Sequence, residues 1–250
     1  MIEFQRVSKR FATPQGGEVT ALRDLDLEIA TGELHCLIGT SGCGKSTTLR
    51  LVNRLETPSS GRVSVGGEDV AGLDVIRLRR RIGYVTQAGG LFPHMTVAQN
   101  IGLLCELEGW DRARIDTRVR ELLSTVNLAD DDYTTRYPHE LSGGQQQRVG
   151  LARALALDPE YVLLDEPFSA LDPITRRELH GEFGSLQREL HKTLLMVTHD
   201  LDEAFALADR VSIMSEGRVL QTGTEAEILS DPADEFVAEF TEHHRGPRHA

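Results

Sequence analysis

Cysteine is scarce in this 250-residue sequence, which holds only Cys36, Cys43 and Cys105. Three thiols cannot all pair and are too few for a disulfide framework, which points to a reducing compartment. Positive charge is short as well: 27 Lys and Arg stand against 39 Asp and Glu, a net charge of −12. That balance argues against a nucleic-acid binder, whose footprint is a basic face, and against direct adhesion to an anionic membrane. No run is long and apolar enough for a membrane helix. The N-terminus MIEFQRVSKR carries charge where a signal peptide needs an apolar core, so no targeting segment is expected. Internal repeats and low-complexity tracts are lacking, and aromatic residues make up only 5%, with Trp110 the single tryptophan. What remains, 40% hydrophobic and 26% charged, is the profile of a folded soluble protein. One α/β unit with an inserted subdomain can use the whole length.

The patterning turns from strand to helix and back. IEFQRV, VTALRDLDLEI and LHCLIG read as strands, RVSVGGEDV as a strand entering a Gly-Gly turn, and RIGYVTQ as another strand. From about residue 96 to 157 the periodicity is helical, with RIDTRVRELLSTVNL the clearest amphipathic case. YVLLDE and TLLMVTHD are short apolar runs with a helical stretch between them, the sign of a parallel, helix-covered sheet. The hairpin RVSIMSEGRVLQTG precedes a short helical end and a polar tail, 241–250, expected to be frayed. One stretch stands out. Ile82 to Cys105 is 24 residues without Asp, Glu, Lys or Arg, where the average content would place about six, and it is too polar and broken to span a bilayer.

Chemistry begins at GTSGCGKST, which follows the apolar LHCLIG and precedes a helical run, the context a phosphate-binding loop requires. Gly39, Thr40, Ser41, Gly42, Cys43, Gly44, Lys45, Ser46 and Thr47 form it. Glycines let consecutive N–H groups turn toward a phosphate, and the following helix adds its positive end. Lys45 supplies a cation for the β- and γ-phosphates, and Ser46 a hydroxyl for Mg2+. Alkylation of Cys43 is expected to block ATP hydrolysis by steric conflict with the loop, with bound ATP protecting the thiol; the alternative is a tolerated small residue whose thiol is poorly accessible. YVLLDEP supplies the second half: Asp165 ends a buried strand, where α/β sheets place ligand chemistry, and suits Mg2+ through a water. Glu166 can polarise the attacking water. Together they predict nucleoside triphosphate hydrolysis.

With those two motifs, LSGGQ at Leu141–Gln145 resembles the signature of ABC-transporter ATPases, and the resemblance covers essentially the whole chain. GYVTQ places Gln87 at the family's Q-loop, SALD (Ser169–Asp172) resembles its D-loop, VTHD puts His199 at the switch histidine, and Phe11 in SKRF matches the adenine-stacking aromatic. The resemblance implies a P-loop NTPase (RecA-like) core with an antiparallel β subdomain and an inserted helical signature subdomain at about 90–157, all within a nucleotide-binding domain of residues 1–240. It implies ATP and Mg2+ as cofactors, with Ser46, Gln87 and Asp165 toward the metal. It also implies a head-to-tail homodimer, in which Ser142, Gly143, Gly144 and Gln145 face the partner's γ-phosphate, Asp172 couples the sites and His199 contacts the γ-phosphate. Glu166 and His199 are the catalytic pair.

SGCGKSTTLRLVNRLETPSSGRV, GLFPHMTVAQNI and YPHELSGGQQQRVGLARALALDPEYVLLDEPFSALDP are most similar to the ATPase subunits of quaternary-amine and osmoprotectant importers for glycine betaine, carnitine and choline. Importers of other small polar solutes such as amino acids share much of the pattern and are the alternative, followed by a non-transport ABC ATPase. Many members of the group continue into paired regulatory domains, whereas this sequence stops at 250, so in-chain sensing is not expected. The resemblance implies a transmembrane permease partner, an indirect partner that binds the solute, and a place on the cytoplasmic face of the membrane. The charge-free stretch, with Leu91, Phe92 and Met95, is the expected docking surface for the permease.

Overall fold

The computed structural model describes residues 1–14, 16–87, 90–129, 131–169, 171–190 and 192–242. In chain order the elements begin with β1 (Ile2–Ala12), β2 (Glu18–Ile29), β3 (Leu34–Gly39), α1 (Lys45–Val52), β4 (Ser60–Val65) and β5 (Glu68–Asp69). The middle holds α2 (Val75–Arg80), β6 (Ile82–Val85), α3 (Val97–Leu107), α4 (Arg112–Thr125), α5 (Gly143–Ala154), β7 (Tyr161–Asp165) and α6 (Pro173–Leu190). The chain then returns through β8 (Thr193–Val197), α7 (Leu201–Leu207), β9 (Arg210–Ser215), β10 (Arg218–Gly223), α8 (Glu225–Ser230) and α9 (Glu235–Phe240). The backbone divides into two compact units, one of Met1–Val75 with the stretch from Thr193 onward, the other Ile76–Lys192.

In the first unit, β2-β1-β4-β5 form an antiparallel sheet, and the Gly66-Gly67 turn closes β4 on β5 with Val65 opposite Glu68. A second set runs β10-β9-β3-β8, with β3 parallel to both β8 and β9. Every residue of β3, LHCLIG, is buried, as is every residue of β8, TLLMV, so these strands are near-continuous apolar runs rather than alternations, with His35 and Thr193 their buried polar members. Across β3, β9 and β10 runs a buried polar chain. His35 Nδ1 lies 2.6 Å from Glu33 Oε1, His35 Nε2 lies 2.8 Å from Ser212 Oγ, and Ser212 Oγ lies 2.6 Å from Thr222 Oγ1.

In the second unit β6 and β7 are parallel, Ile82 opposite Tyr161 and Val85 opposite Leu164, and α5 packs on β6 and on α3, α4 and α6. α4 turns Ile115, Val119, Leu122 and Leu123 inward at helical spacing. Its Arg118 reaches past the surface to donate to the Leu155 and Ala156 carbonyls at 2.9 and 3.1 Å, closing the end of α5. α3 starts in a capping box, Thr96 with Gln99, a T-x-x-Q spacing that was open to reading in the sequence. Residues 243–250 of the expected tail lie outside the described residues, while Thr241 is buried and donates to the Val237 carbonyl at 2.8 Å.

Candidate functional site

The phosphate-type loop links β3 to α1. Gly39, Gly42 and Gly44 take φ of +154°, +80° and +106°, values that favour glycine. At Gly44 a Cβ would also lie 2.6 Å from the Ala21 carbonyl, and at Gly39 it would lie 2.0 Å from that of Met214; at Gly42 it would meet nothing within 4 Å. The loop is thus pressed against the protein at its two ends and open at its middle, which leaves room for an anionic group there. Lys45 is only 7% exposed, and its Nζ donates to the Gly39 and Thr40 carbonyls at 2.8 and 3.0 Å. The ammonium is held over the loop's own backbone. Cys43 points inward, 3% exposed, with Sγ 3.7 Å from Lys45 Nζ, so its thiol faces the interior.

Elsewhere in the same unit, His199 is exposed on a short turn with both neighbours tied down: Thr198 Oγ1 donates to Glu203 at 2.6 Å, and the Asp200 N–H donates to Thr198 Oγ1 at 3.0 Å. Phe11 on β1 has Lys9 Nζ 4.6 Å from its ring centre, and Lys9 pairs with Glu56 at 2.9 Å.

The second unit carries the carboxylates. Asp165 is buried at the end of β7 and accepts from Tyr84 Oη at 3.2 Å. Glu166 has φ +47°, a conformation uncommon for a side-chain-bearing residue, and its carbonyl accepts from Ser169 Oγ at 3.0 Å. Its Oε2 accepts from Gln87 Nε2 at 3.1 Å, so two residues 79 apart in sequence meet. Asp172 Oδ1 accepts the N–H groups of Ile174 and Thr175, both at 3.1 Å, and the Thr175 side-chain hydrogen bond together with these two lowers its carboxyl pKa. Ala170, between them in SALD, lies outside the described residues.

Ser142 opens α5 in a capping box, accepting from the Gln145 N–H at 3.3 Å while its own N–H donates to Gln145 Oε1 at 3.0 Å. Gln145 Nε2 also donates to Tyr133 Oη at 3.0 Å. Gly143 is exposed, and Gly144 is buried where a Cβ would lie 2.9 Å from Thr175. Ser142 and Gln145 cap their own helix, while the N–H groups of Gly143 and Gly144 have no partner inside it.

The charge-free stretch is not charge-free in space. Arg153 of α5 donates through Nη1 to the Gly90 carbonyl at 2.7 Å, and its guanidinium stands 5.7 Å from the centre of the Phe92 ring, which is 40% exposed. Burial lowers the Arg153 pKa. Asn100, wholly buried, accepts from the Phe92 N–H at 2.8 Å and donates to the Phe92, Met95 and Thr96 carbonyls at 3.0–3.1 Å. The loop 92–96 is therefore built around one amide. Sequence reasoning missed the parts played by Tyr84, Asn100 and Arg153, although all three lie inside segments that the motifs cover. Ala88 and Gly89 lie outside the described residues.

Among the described residues no group of three His, Cys, Asp or Glu side chains is gathered as a metal site, and no helix is long and apolar enough to cross a membrane. Asp165, a single buried carboxylate, suits a Mg2+ that keeps waters and phosphate oxygens as its other ligands.

Comparison with known proteins matches residues 22–169 to the ABC transporter family profile. The glycine betaine/carnitine/choline transport ATP-binding protein OpuCA of Bacillus subtilis (strain 168) is 53% identical over 96% of this chain and 62% of its own length. The glycine betaine uptake system ATP-binding protein YehX of Escherichia coli (strain K12) is 50% identical over 96% of this chain and 76% of its own. The chain spans about three-fifths of the length of the first of these relatives. Among solved structures, the dimeric post-hydrolysis state of the ATP-binding cassette MJ0796, bound to ADP and phosphate, aligns with a TM-score of 0.80 at 32% identity, covering 90% of this chain and 98% of that one. The α/β architecture, with its antiparallel β region and helical insertion, is that of an ATP-binding cassette of the P-loop NTPase class. On sequence and fold together, the chain belongs to the ABC transporter family.

Proposed function

We propose that the chain is the ATP-hydrolysing subunit of an ABC importer for quaternary ammonium osmoprotectants. The observation that carries the ATP reading is the buried Lys45 ammonium, folded over a glycine-turned loop at the N-terminus of α1. An ammonium this buried gains from an anionic partner, and exchanging two carbonyls for phosphate oxygens supplies one. In this reading Phe11 stacks on adenine, and the backbone of Gly39–Thr47 with Lys45 holds the β- and γ-phosphates. Ser46, Asp165 and Gln87 would hold Mg2+, which would supply charge neutralisation of the phosphates when bound with the nucleotide.

Glu166, aimed by its left-handed backbone, accepts a hydrogen bond from the attacking water and so orients and polarises it, while Gln87 keeps that carboxylate in place. His199 donates to the γ-phosphate. Ser142, Gly143, Gly144 and Gln145 serve the nucleotide of a second copy of the chain, through the positive N-terminal end of α5 and the N–H groups of Gly143 and Gly144. Asp172 links the two sites. Residues 1–240 act as one nucleotide-binding domain, and the segment around Leu91, Phe92 and Met95 docks on a permease at the cytoplasmic face of the membrane.

The solute class follows the relatives' transport of glycine betaine, carnitine and choline. A separate binding protein would recognise the solute, and nucleic acid plays no part. The purified chain should bind ATP and release phosphate only with Mg2+, and Lys45→Ala should abolish nucleotide binding. A chain that fails to bind ATP, or binds it equally well without Lys45, overturns the reading.

A further inference from the structure

Gln87 lies in a segment gripped on both sides by the C-terminal turn of α5. On one side a Cβ at Gly83 would lie 2.5 Å from the Ala154 carbonyl oxygen, so β6 runs with its backbone hard against the last residue of the helix. On the other, Arg153 Nη1 donates to the Gly90 carbonyl at 2.7 Å. Gly90 itself has φ +57°, and a Cβ there would meet Thr86 Oγ1 at 2.5 Å, so the Gly90 backbone that Arg153 holds lies against Thr86, the neighbour of Gln87. Beyond it, Asn100 pins Phe92 through Thr96. From the middle of this clamped segment Gln87 Nε2 reaches Glu166 Oε2 at 3.1 Å.

We propose that Arg153 is a positioning residue for hydrolysis: by holding the Gly90 carbonyl it fixes where the Gln87 amide meets the Glu166 carboxylate. α5 is then one rigid connection, with the LSGGQ turn at its start and the support of Gln87–Glu166 at its end. Misplacing a catalytic group by about 1 Å costs up to about a hundredfold in rate, whereas nucleotide binding through the Gly39–Thr47 loop has no stake in Arg153. The proposal rests on the reading of Glu166 as the residue that polarises the attacking water.

The test is a double-variant cycle on the full chain, measuring kcat and KM for ATP at saturating Mg2+ for R153M, R153K, Q87A and Q87A/R153M. R153M should lower kcat about tenfold with KM changed less than twofold. R153K, whose ammonium still donates to the Gly90 carbonyl, should recover part of the loss. Adding R153M to Q87A should cost less than a further twofold, because the group being positioned is gone. Losses that multiply in the double variant, or a KM that rises as kcat falls, overturn the proposal. If R153M does not fold, Gly90→Ala takes its place in the same cycle, since it displaces the same carbonyl and leaves Arg153 intact. Hydrogen exchange at Gln87 and Gly90, which needs no hydrolysis, should quicken in either variant, and unchanged exchange also sinks the idea. Glu166→Gln, run alongside, reports on the underlying reading alone: normal turnover there removes the role of Glu166, whatever the cycle shows.

Discussion

At the scale of single residues, the chemistry rests on a few side chains in unusual settings. Glu166 sits at φ +47° beside the buried Asp165, and its carboxylate shares a hydrogen bond with Gln87. Glu166→Gln keeps the size and can still meet Gln87, so ATP binding should persist while phosphate release nearly stops. An ATP-bound dimer that outlasts many wild-type turnovers, seen by size exclusion, is the expected result. Phe11 already has the Lys9 ammonium near its ring. Phe11→Ala should weaken ATP binding by roughly 1 kcal/mol, the worth of a lost ring contact, and titration calorimetry would show it. An unchanged affinity would move the stacking role to another residue. The motif residues could be read directly from sequence because a glycine loop, a strand-ending Asp-Glu and a helix cap are local patterns. Arg153 could not: its partner Gly90 is 63 residues away, and nothing near Arg153 in sequence announces that contact.

At the scale of elements, the strands declared themselves best where the fold buries them whole. LHCLIG is β3 residue for residue, because the run is uninterrupted and stops at a glycine in a left-handed turn. β1 runs on to Ala12, well past the IEFQRV that periodicity marks, because its pairing with β2 continues to Ala12 opposite Glu18 through register shifts that blur the alternation. At Ser142 the capping box forms, so Ser142→Ala should cost about 1 kcal/mol of stability, measurable by urea unfolding. Asn100 is the larger structural dependence. Asn100→Leu keeps the volume but strands the Phe92 N–H and the Met95 carbonyl, since the Phe92 and Thr96 carbonyls keep backbone partners, and should cost roughly 3 kcal/mol. Glu33 supplies a pH dependence. Burial alone would raise its pKa, but the hydrogen bond with His35, the charge of that ring and the Ala30 N–H together lower it. A depressed carboxyl contributes stability above its unfolded pKa and loses it as pH falls through the folded one. Acid unfolding should therefore begin in the low carboxylate range, and Glu33→Gln should flatten that part of the stability curve.

At the scale of the whole molecule, the acidic charge and the poverty of aromatics bear on what the chain does not do alone. Quaternary ammonium solutes have no N–H to donate and are held by aromatic cages. With 5% aromatic residues, and Phe11 assigned to adenine, the isolated chain should show no heat of binding with glycine betaine, choline or carnitine. Phe92→Asp or Met95→Asp should block assembly with the permease while nucleotide affinity stays normal, since a charge placed in an interface without a partner is costly. Tight solute binding by the chain itself, or assembly of both variants, would reverse this assignment. Cys36 on β3, Cys43 in the phosphate loop and Cys105 on α3 are all free and buried, and burial pushes the thiols of Cys36 and Cys105 up. A thiol reagent reaches each only when its own neighbourhood opens, so the labelling rates of the native chain measure three separate local openings. ATP should slow the clock in the loop far more than those in the strand and the helix, making the protein its own reporter of where nucleotide tightens it.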